Sequence, residues 1–425
     1  MSSSDVLPIF STRLPSGLRL VIEPLRHVRS VAAGVWLTRG SRHEPDHLIG
    51  VSHFLEHLVF KGTSRRPAKA IARTIDTLGG QLDAFTCREQ ACFYAKVLDE
   101  HLPEALDLLS DLLSDPLLAP EDIERERGVV LEEINLVNDT PSDGIFDLLY
   151  ETFFEGHALG RPVLGSPATV SGLKRDDIVS WRSSNLLSDN LVVTVSGSCS
   201  PEELVQLVSH AFTFPAGKTS PATASPEPAG RKVRVKEKAS EQVHLCLGFP
   251  AVDESSPKRF TASILSTILG GGVASRLFQR IREEEGLAYV IHSFLDTFSD
   301  TGIMGIYAGV GPKSVAKVLD LMGQELDSIV SKGAEPEELA MAKDQLKGQM
   351  MLALEDTANR MGRLARQTIT FDRTFSQEET LARIEAVTLD DVQILASTLF
   401  SPSNYSLALI GPTSADKLEN FWLKG

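Results

Sequence analysis

The chain repeats itself, and the repeat restricts its fold more than any other feature. Residues 176–197, DDIVSWRSSNLLSDNLVVTVSG, lie without a gap on residues 390–411, DDVQILASTLFSPSNYSLALIG. Each copy opens on an Asp pair, suited to capping a helix. Each then carries an Asn, Asn190 or Asn404, before an apolar run that ends at Gly197 or Gly411. The pattern is a helix, a loop and a buried strand. Earlier segments repeat in type. VAAGVWLTRG at 31–40 matches VHLCLGFPAV at 243–252, and ACFYAKVL at 91–98 matches GIMGIYAGV at 302–310. Both pairs read as strands. Apolar-striped helices follow, PEALDLLSDLL at 103–113 and SVAKVLDLMGQELDSIV at 314–330.

Between the copies lies FPAGKTSPATASPEPAG, residues 214–230, which has too few large apolar side chains to build a core. It reads as an extended linker. The expected organisation is a domain at 1–213, a linker at 214–230 and a homologous domain at 231–425. The expected fold class is α+β. Each domain is a mixed α/β unit, with a mainly antiparallel sheet and helices packed on one face.

Composition removes several functions. The 425 residues suit two or three domains. Lys and Arg number 42 against 57 Asp and Glu, so the net charge of -15 excludes a general nucleic-acid binder. Cys87, Cys92, Cys199 and Cys246 form no CxxC pair, which argues against a disulfide scaffold or a zinc ribbon. No apolar run reaches the length of a membrane span, so stable membrane insertion is not expected. The opening residues lack the pattern of a signal peptide. A cytoplasmic location is expected by elimination.

The chemistry is concentrated in VSHFLEHLVFKGT, residues 51–63. His53 and His57 are four apart and share a helix face, where they can present two imidazoles to one zinc ion. Glu56 lies on the same side and can take the proton of a water. This HxxEH order is the inverted zincin arrangement. A third ligand is needed, with a fourth position left open. APEDIERERGVVLEEINLV at 119–137 is the best source. Glu126 and Glu133 are seven apart, close to two helical turns. Glu133 is the expected ligand, and Glu126 the residue that orients a ligand histidine. Glu132 is the less favoured competitor, turned about 100° away. In the repeat, EPEELAMAKDQLKGQM at 335–350 places Ala342 and Gln349 at these two positions. FTASILSTILGGG at 260–272 holds neither His nor Glu. The second half keeps the scaffold without a metal set.

With these words in place, the chain resembles the pitrilysin/insulinase family of zinc metallopeptidases over roughly 10–420. The likeness is strongest in GVSHFLEHLVFKGT, ERERGVVLEEI, ALGRPVLG and RLFQRIREEEGLAYVIHSF. It looks most like the short two-domain branch of bacterial processing peptidases and the beta subunit of the mitochondrial processing peptidase. The resemblance implies one zinc ion per chain on His53, His57 and Glu133, with Glu56 as base and Glu126 as its supporting acid. It implies that Arg282 and Tyr289 match a pair that reaches across a closed cavity to the substrate and reaction centre. Ala84, Phe85 and Thr86 then belong to a strand whose edge pairs with an extended substrate. Asp83 stands where the family usually has Asn, adding a carboxylate. Phe60 resembles a pocket residue for the side chain after the cut. Asp143 and Asp147 resemble an acidic pair that recognises arginine.

The implied activity is zinc-dependent endoproteolysis of unfolded or presequence-like peptides in a closed chamber, with a preference for basic substrates. The implied assembly is a homodimer, or a heterodimer with a metal-free paralogue. A non-catalytic structural or peptide-binding subunit is the alternative.

Overall fold

A computed structural model of the chain describes residues 8–219, 225–227 and 230–414. The outer ends of both expected domains lie outside these residues, as do 220–224 and 228–229 of the expected linker. Six strands form the first sheet: β1 (Phe10–Arg13), β2 (Arg19–Pro24), β3 (Ser30–Leu37), β4 (Gln81–Thr86), β5 (Ala91–Leu98) and β6 (Leu191–Gly197). Their spatial order is β1-β2-β6-β3-β5-β4. The second sheet holds β7 (Lys232–Glu237), β8 (Val243–Ala251), β9 (Ala288–Thr297), β10 (Gly302–Val310) and β11 (Ser406–Gly411), in the order β7-β11-β8-β10-β9.

Without β1, the two orders correspond strand for strand. The parallel pair also falls at the same place, β2 with β6 and β7 with β11, while the other pairs are antiparallel. The repeat therefore extends to topology and register. Gly197 and Gly411 end corresponding strands at φ 136° and 149°. A Cβ on Gly197 would lie 2.3 Å from the Ser30 carbonyl oxygen, and one on Gly411 2.8 Å from that of Gln242. Glycine is required at both by positive φ and by close approach to the neighbouring strand.

The Asp pairs open helices Arg175–Asn185 and Leu389–Leu399, in a role that differs from a simple cap. The second Asp of each pair sits one turn inside and reaches back to the backbone. Asp177 accepts from the Lys174 N–H and Asp391 from the Thr388 N–H, both at 2.9 Å. At Lys174 this is half of a capping box; at Thr388 the box is complete, the hydroxyl accepting from the Asp391 N–H at 3.1 Å.

The first half supplies α1 (Val51–Val59), α2 (Ala68–Leu78), α3 (Leu102–Ser114), α4 (Pro120–Asp139) and α5 (Pro141–Phe153). Residues of α1 and α3 pack with one face of the first sheet to form its core. The opposite face takes one helix from the second half, Thr357–Phe371. Met361 and Ala365 bury against Trp36, Cys92 and Val192. Buried Glu23 on β2 accepts from Arg360 at 3.1 Å and Arg363 at 2.9 Å on that helix. The second sheet shows the reciprocal arrangement. Ile145, Leu149 and Phe153 of α5 bury with Cys246, Ile303 and Ile410.

Two compact units result, and each draws on both halves of the sequence. One comprises Met1–Ile134, Pro162–Thr223 and Met351–Thr374. The other comprises Asn135–Arg161, Ala224–Met350 and Phe375–Gly425. The start of the linker is tied to the first unit, where Asn190 donates to Thr219 at 2.5 Å and Ser188 to the Pro215 carbonyl at 2.9 Å.

Candidate metal centre

At nine residues, α1 is too short to persist alone in water. Val51, Phe54, Leu55, Leu58 and Val59 hold it by burial in the first core, at about 1.5–3 kcal/mol per large side chain. Its cap comes from a distance. The carboxylate of buried Glu44 accepts from the Gly50 and Ser52 N–H groups, each at 2.7 Å. Gly50 is left-handed at φ 96°, and a Cβ there would meet the Leu164 carbonyl oxygen at 2.8 Å. The start of the histidine-bearing helix is thereby fixed.

The chain enters α4 through Leu118, a non-glycine residue at φ 46°. Such a conformation costs about 1–3 kcal/mol. Burial of the side chain and donation from Arg175 to its carbonyl, at 2.9 Å, hold it there. Ile123, Val130 and Ile134 seat α4 on the core, and Glu126 is buried on that side. Glu133 is half-buried and Glu132 exposed.

His53, His57 and Glu133 converge, each offering an atom within 4.8 Å of the others. Glu133 Oε2 lies 3.7 Å from His53 Nε2 and 3.5 Å from His57 Nε2. The imidazole rings are 4.7 Å apart at 67°. Tetrahedral zinc with bonds of about 2.0–2.2 Å requires ligand atoms about 3.3–3.6 Å apart, so the trio fits zinc. Burial and the neighbouring His57 lower the His53 pKa to about 4, leaving a neutral imidazole suited to a metal. His57 Nδ1 lies 3.3 Å from Glu126 Oε2, the carboxylate–histidine pairing common behind zinc ligands. Lys61 donates to the other oxygen of Glu126 at 2.8 Å.

Glu56 is half-buried beside the trio. Thr86, the last residue of β4, donates to its carboxylate at 2.5 Å. Burial raises the Glu56 pKa above the usual carboxyl range. The Thr86 bond and His57 oppose this, while Asp83 and Glu133 add to it. The local geometry can hold a metal with an open position, and it puts a carboxylate of raised pKa next to that position.

The remaining expected residues divide between the units. Phe60 ends α1, half-buried against the first core. β4 is the free edge of its sheet, with Leu82, Ala84 and Thr86 half-buried and Gln81, Asp83 and Phe85 exposed. Asp83 accepts from the Ala84 N–H at 2.8 Å, and Phe85 meets Trp36 edge to face. In the second unit, Arg282 lies in a π-helical turn, Phe278–Glu284, that the sequence did not signal. Its guanidinium sits 5.3 Å from the ring of Tyr289 and 4.7 Å from that of Phe278. Tyr289 is 74% exposed. Asp143 is exposed and Asp147 half-buried on α5, and Asp143 acts electrostatically on His244 and Tyr307.

Three contributors escaped the sequence reading. The Thr86 hydroxyl, rather than only its backbone, bears on Glu56. Lys61 had one signal, its place four residues after His57. Glu44 had none beyond being an acid shortly before a helix that begins at glycine. Among the described residues, no helix is long and apolar enough to cross a membrane.

The comparisons agree with this construction. Residues 19–167 match the family model described as Insulinase (Peptidase family M16), and 172–346 match the Peptidase M16 inactive domain. An uncharacterized zinc protease of Streptomyces coelicolor is 40% identical over 94% of this chain and 89% of its own length. An uncharacterized zinc protease of Bacillus subtilis is 36% identical over 94% and 97%. Among solved structures, a protease from Helicobacter pylori shares the fold at TM-score 0.89 and 20% identity, over 96% of this chain and all of that one. A chain of complex III2 from Candida albicans shares it at TM-score 0.84 and 19% identity, over 97% and 98%. With both family models matched and a His, His and Glu trio assembled in the first unit, the chain belongs to the M16, or pitrilysin/insulinase, family of zinc metallopeptidases.

Proposed function

We propose that the chain is an endopeptidase for unfolded or presequence-like peptides, of the short branch that includes processing peptidases. The observation that carries this reading is the tie between Glu56 and the free edge strand β4, through Thr86. It couples the candidate base to the surface where an extended peptide can add as a strand. Ala84, Phe85 and Thr86 offer that edge, and Phe60 borders the pocket after the cut.

His53, His57 and Glu133 would hold the zinc, supported by Glu126. When bound, zinc supplies Lewis acidity toward a peptide carbonyl and makes water acidic enough to react near neutral pH. Glu56 takes the proton of the attacking water and passes it to the leaving amine. Arg282 and Tyr289 carry the chemistry to bind a peptide carbonyl and to donate to an oxyanion, the roles that the resemblance implies for them. Asp83, Asp143 and Asp147 favour basic substrates.

We assign the catalytic half to 1–213 and the metal-free half to 231–425, joined by 214–230. A homodimer is proposed as the working form, with a metal-free paralogue as the alternative partner. Buried thiols at Cys92 and Cys246 suit the cytoplasmic setting proposed.

The test is an unstructured, arginine-containing peptide library incubated with the purified chain or its Glu56→Gln variant and read by mass spectrometry. Zinc-dependent products absent from the variant are expected. No products from a zinc-loaded, folded protein would overturn the stand-alone peptidase and favour a structural subunit.

A further inference from the structure

We infer that Lys61 is a positioning residue of the metal centre, acting through Glu126 to fix how His57 presents Nε2. The inference rests on the zinc reading of the His53, His57 and Glu133 trio.

Three observations carry it. Lys61 lies in the turn just beyond α1, four residues after His57, and its N–H donates to the Leu58 carbonyl at 3.1 Å. A single carboxylate spans them: Glu126 Oε1 is 2.8 Å from Lys61 Nζ, and Oε2 is 3.3 Å from His57 Nδ1. The Glu126 side chain is only 5% exposed, while that of Lys61 is 35% exposed. A surface ion pair between two exposed side chains contributes little. Here one partner is buried behind a ligand histidine, where the direction of each lone pair matters. Held by Lys61 through one oxygen, Glu126 keeps the other aimed at Nδ1. His57 then carries its proton on Nδ1 and leaves the lone pair of Nε2 open for the metal that it would share with His53 and Glu133.

The repeat offers an internal control. Laying 260–272 on 51–63 puts Ser266 at His57 and Gly270 at Lys61, while 335–350 on 119–134 puts Ala342 at Glu126. The second half lacks all three members while keeping the strand order. Lys61 is thus lost with the metal group rather than kept with the scaffold.

The experiment measures zinc affinity of the full chain by competition with a chromogenic chelator, together with the urea midpoint of the zinc-free protein. The variants are Lys61→Met, Lys61→Arg, Glu126→Gln and the Lys61→Met/Glu126→Gln pair. Lys61→Met is expected to weaken zinc binding about 10–100-fold, with the zinc-free midpoint little changed. Lys61→Arg should recover most of the loss. On the Glu126→Gln background, Lys61→Met should add little. Wild-type affinity in Lys61→Met, or an undiminished loss on the Glu126→Gln background, would overturn the inference alone. A wild-type chain that holds no zinc would overturn the zinc reading and the inference together.

Discussion

The helix bearing the histidines in the first unit and its counterpart in the second, Arg259–Gly270, use one scaffold for different ends. In the first, Glu56 stands between α1 and edge strand β4, and Thr86 holds its carboxylate. In the second, Ser266 and Ser293 bond to each other at 3.1 Å, and a Cβ on Gly270 would strike the Ser293 nitrogen at 2.4 Å. The second helix lies close on its edge strand, with small residues at the approach. The first keeps long polar side chains there. Ala342 is buried where Glu126 would be, and Gln349 is exposed at the position of Glu133. A metal centre is therefore an addition to this fold, and the glycines that end β6 and β11 belong to the fold itself.

Copying the second unit into the first should give the largest effect. Glu133→Gln installs the residue of the repeat, and both retained zinc and peptide hydrolysis should fall to background by metal analysis and mass spectrometry. Glu56→Gln should retain zinc and lower turnover about 10²–10⁴-fold, as expected for loss of a general base. Equal zinc loss in both variants would erase the distinction between ligand and base. Glu126→Ala, which installs the counterpart of Ala342, should weaken zinc binding about 10–100-fold in the chelator competition. The smallest effect is on stability. Gly197→Ala and Gly411→Ala should each cost about 1–3 kcal/mol in urea unfolding, with zinc affinity kept. A cost at only one of them would break the equivalence of the two strand ends.

Local patterns carried most of what was legible in the sequence. The spacing of His53 and His57 fixes a shared helix face, and the seven-residue step from Glu126 to Glu133 fixes another. Alternation and apolar runs located the principal strands of both sheets. The reciprocal exchange of helices was not legible. The apolar stripe of Thr357–Phe371 says that one face is buried, without naming Trp36 and Val192 as partners. The clasp of Glu23 by Arg360 and Arg363 joins residues more than 330 positions apart. The Glu44 cap and the Thr86 bond to Glu56 likewise depend on tertiary approach rather than period. The Asp pairs marked helix starts correctly, but their work is done one turn inside the helix.

Zinc stoichiometry tests the central claim most directly. The wild-type chain, dialysed against trace zinc and measured by atomic emission, should hold one ion, and Glu133→Gln should hold none. Two ions per chain, or one that survives Glu133→Gln, would contradict a single metal centre confined to the first unit.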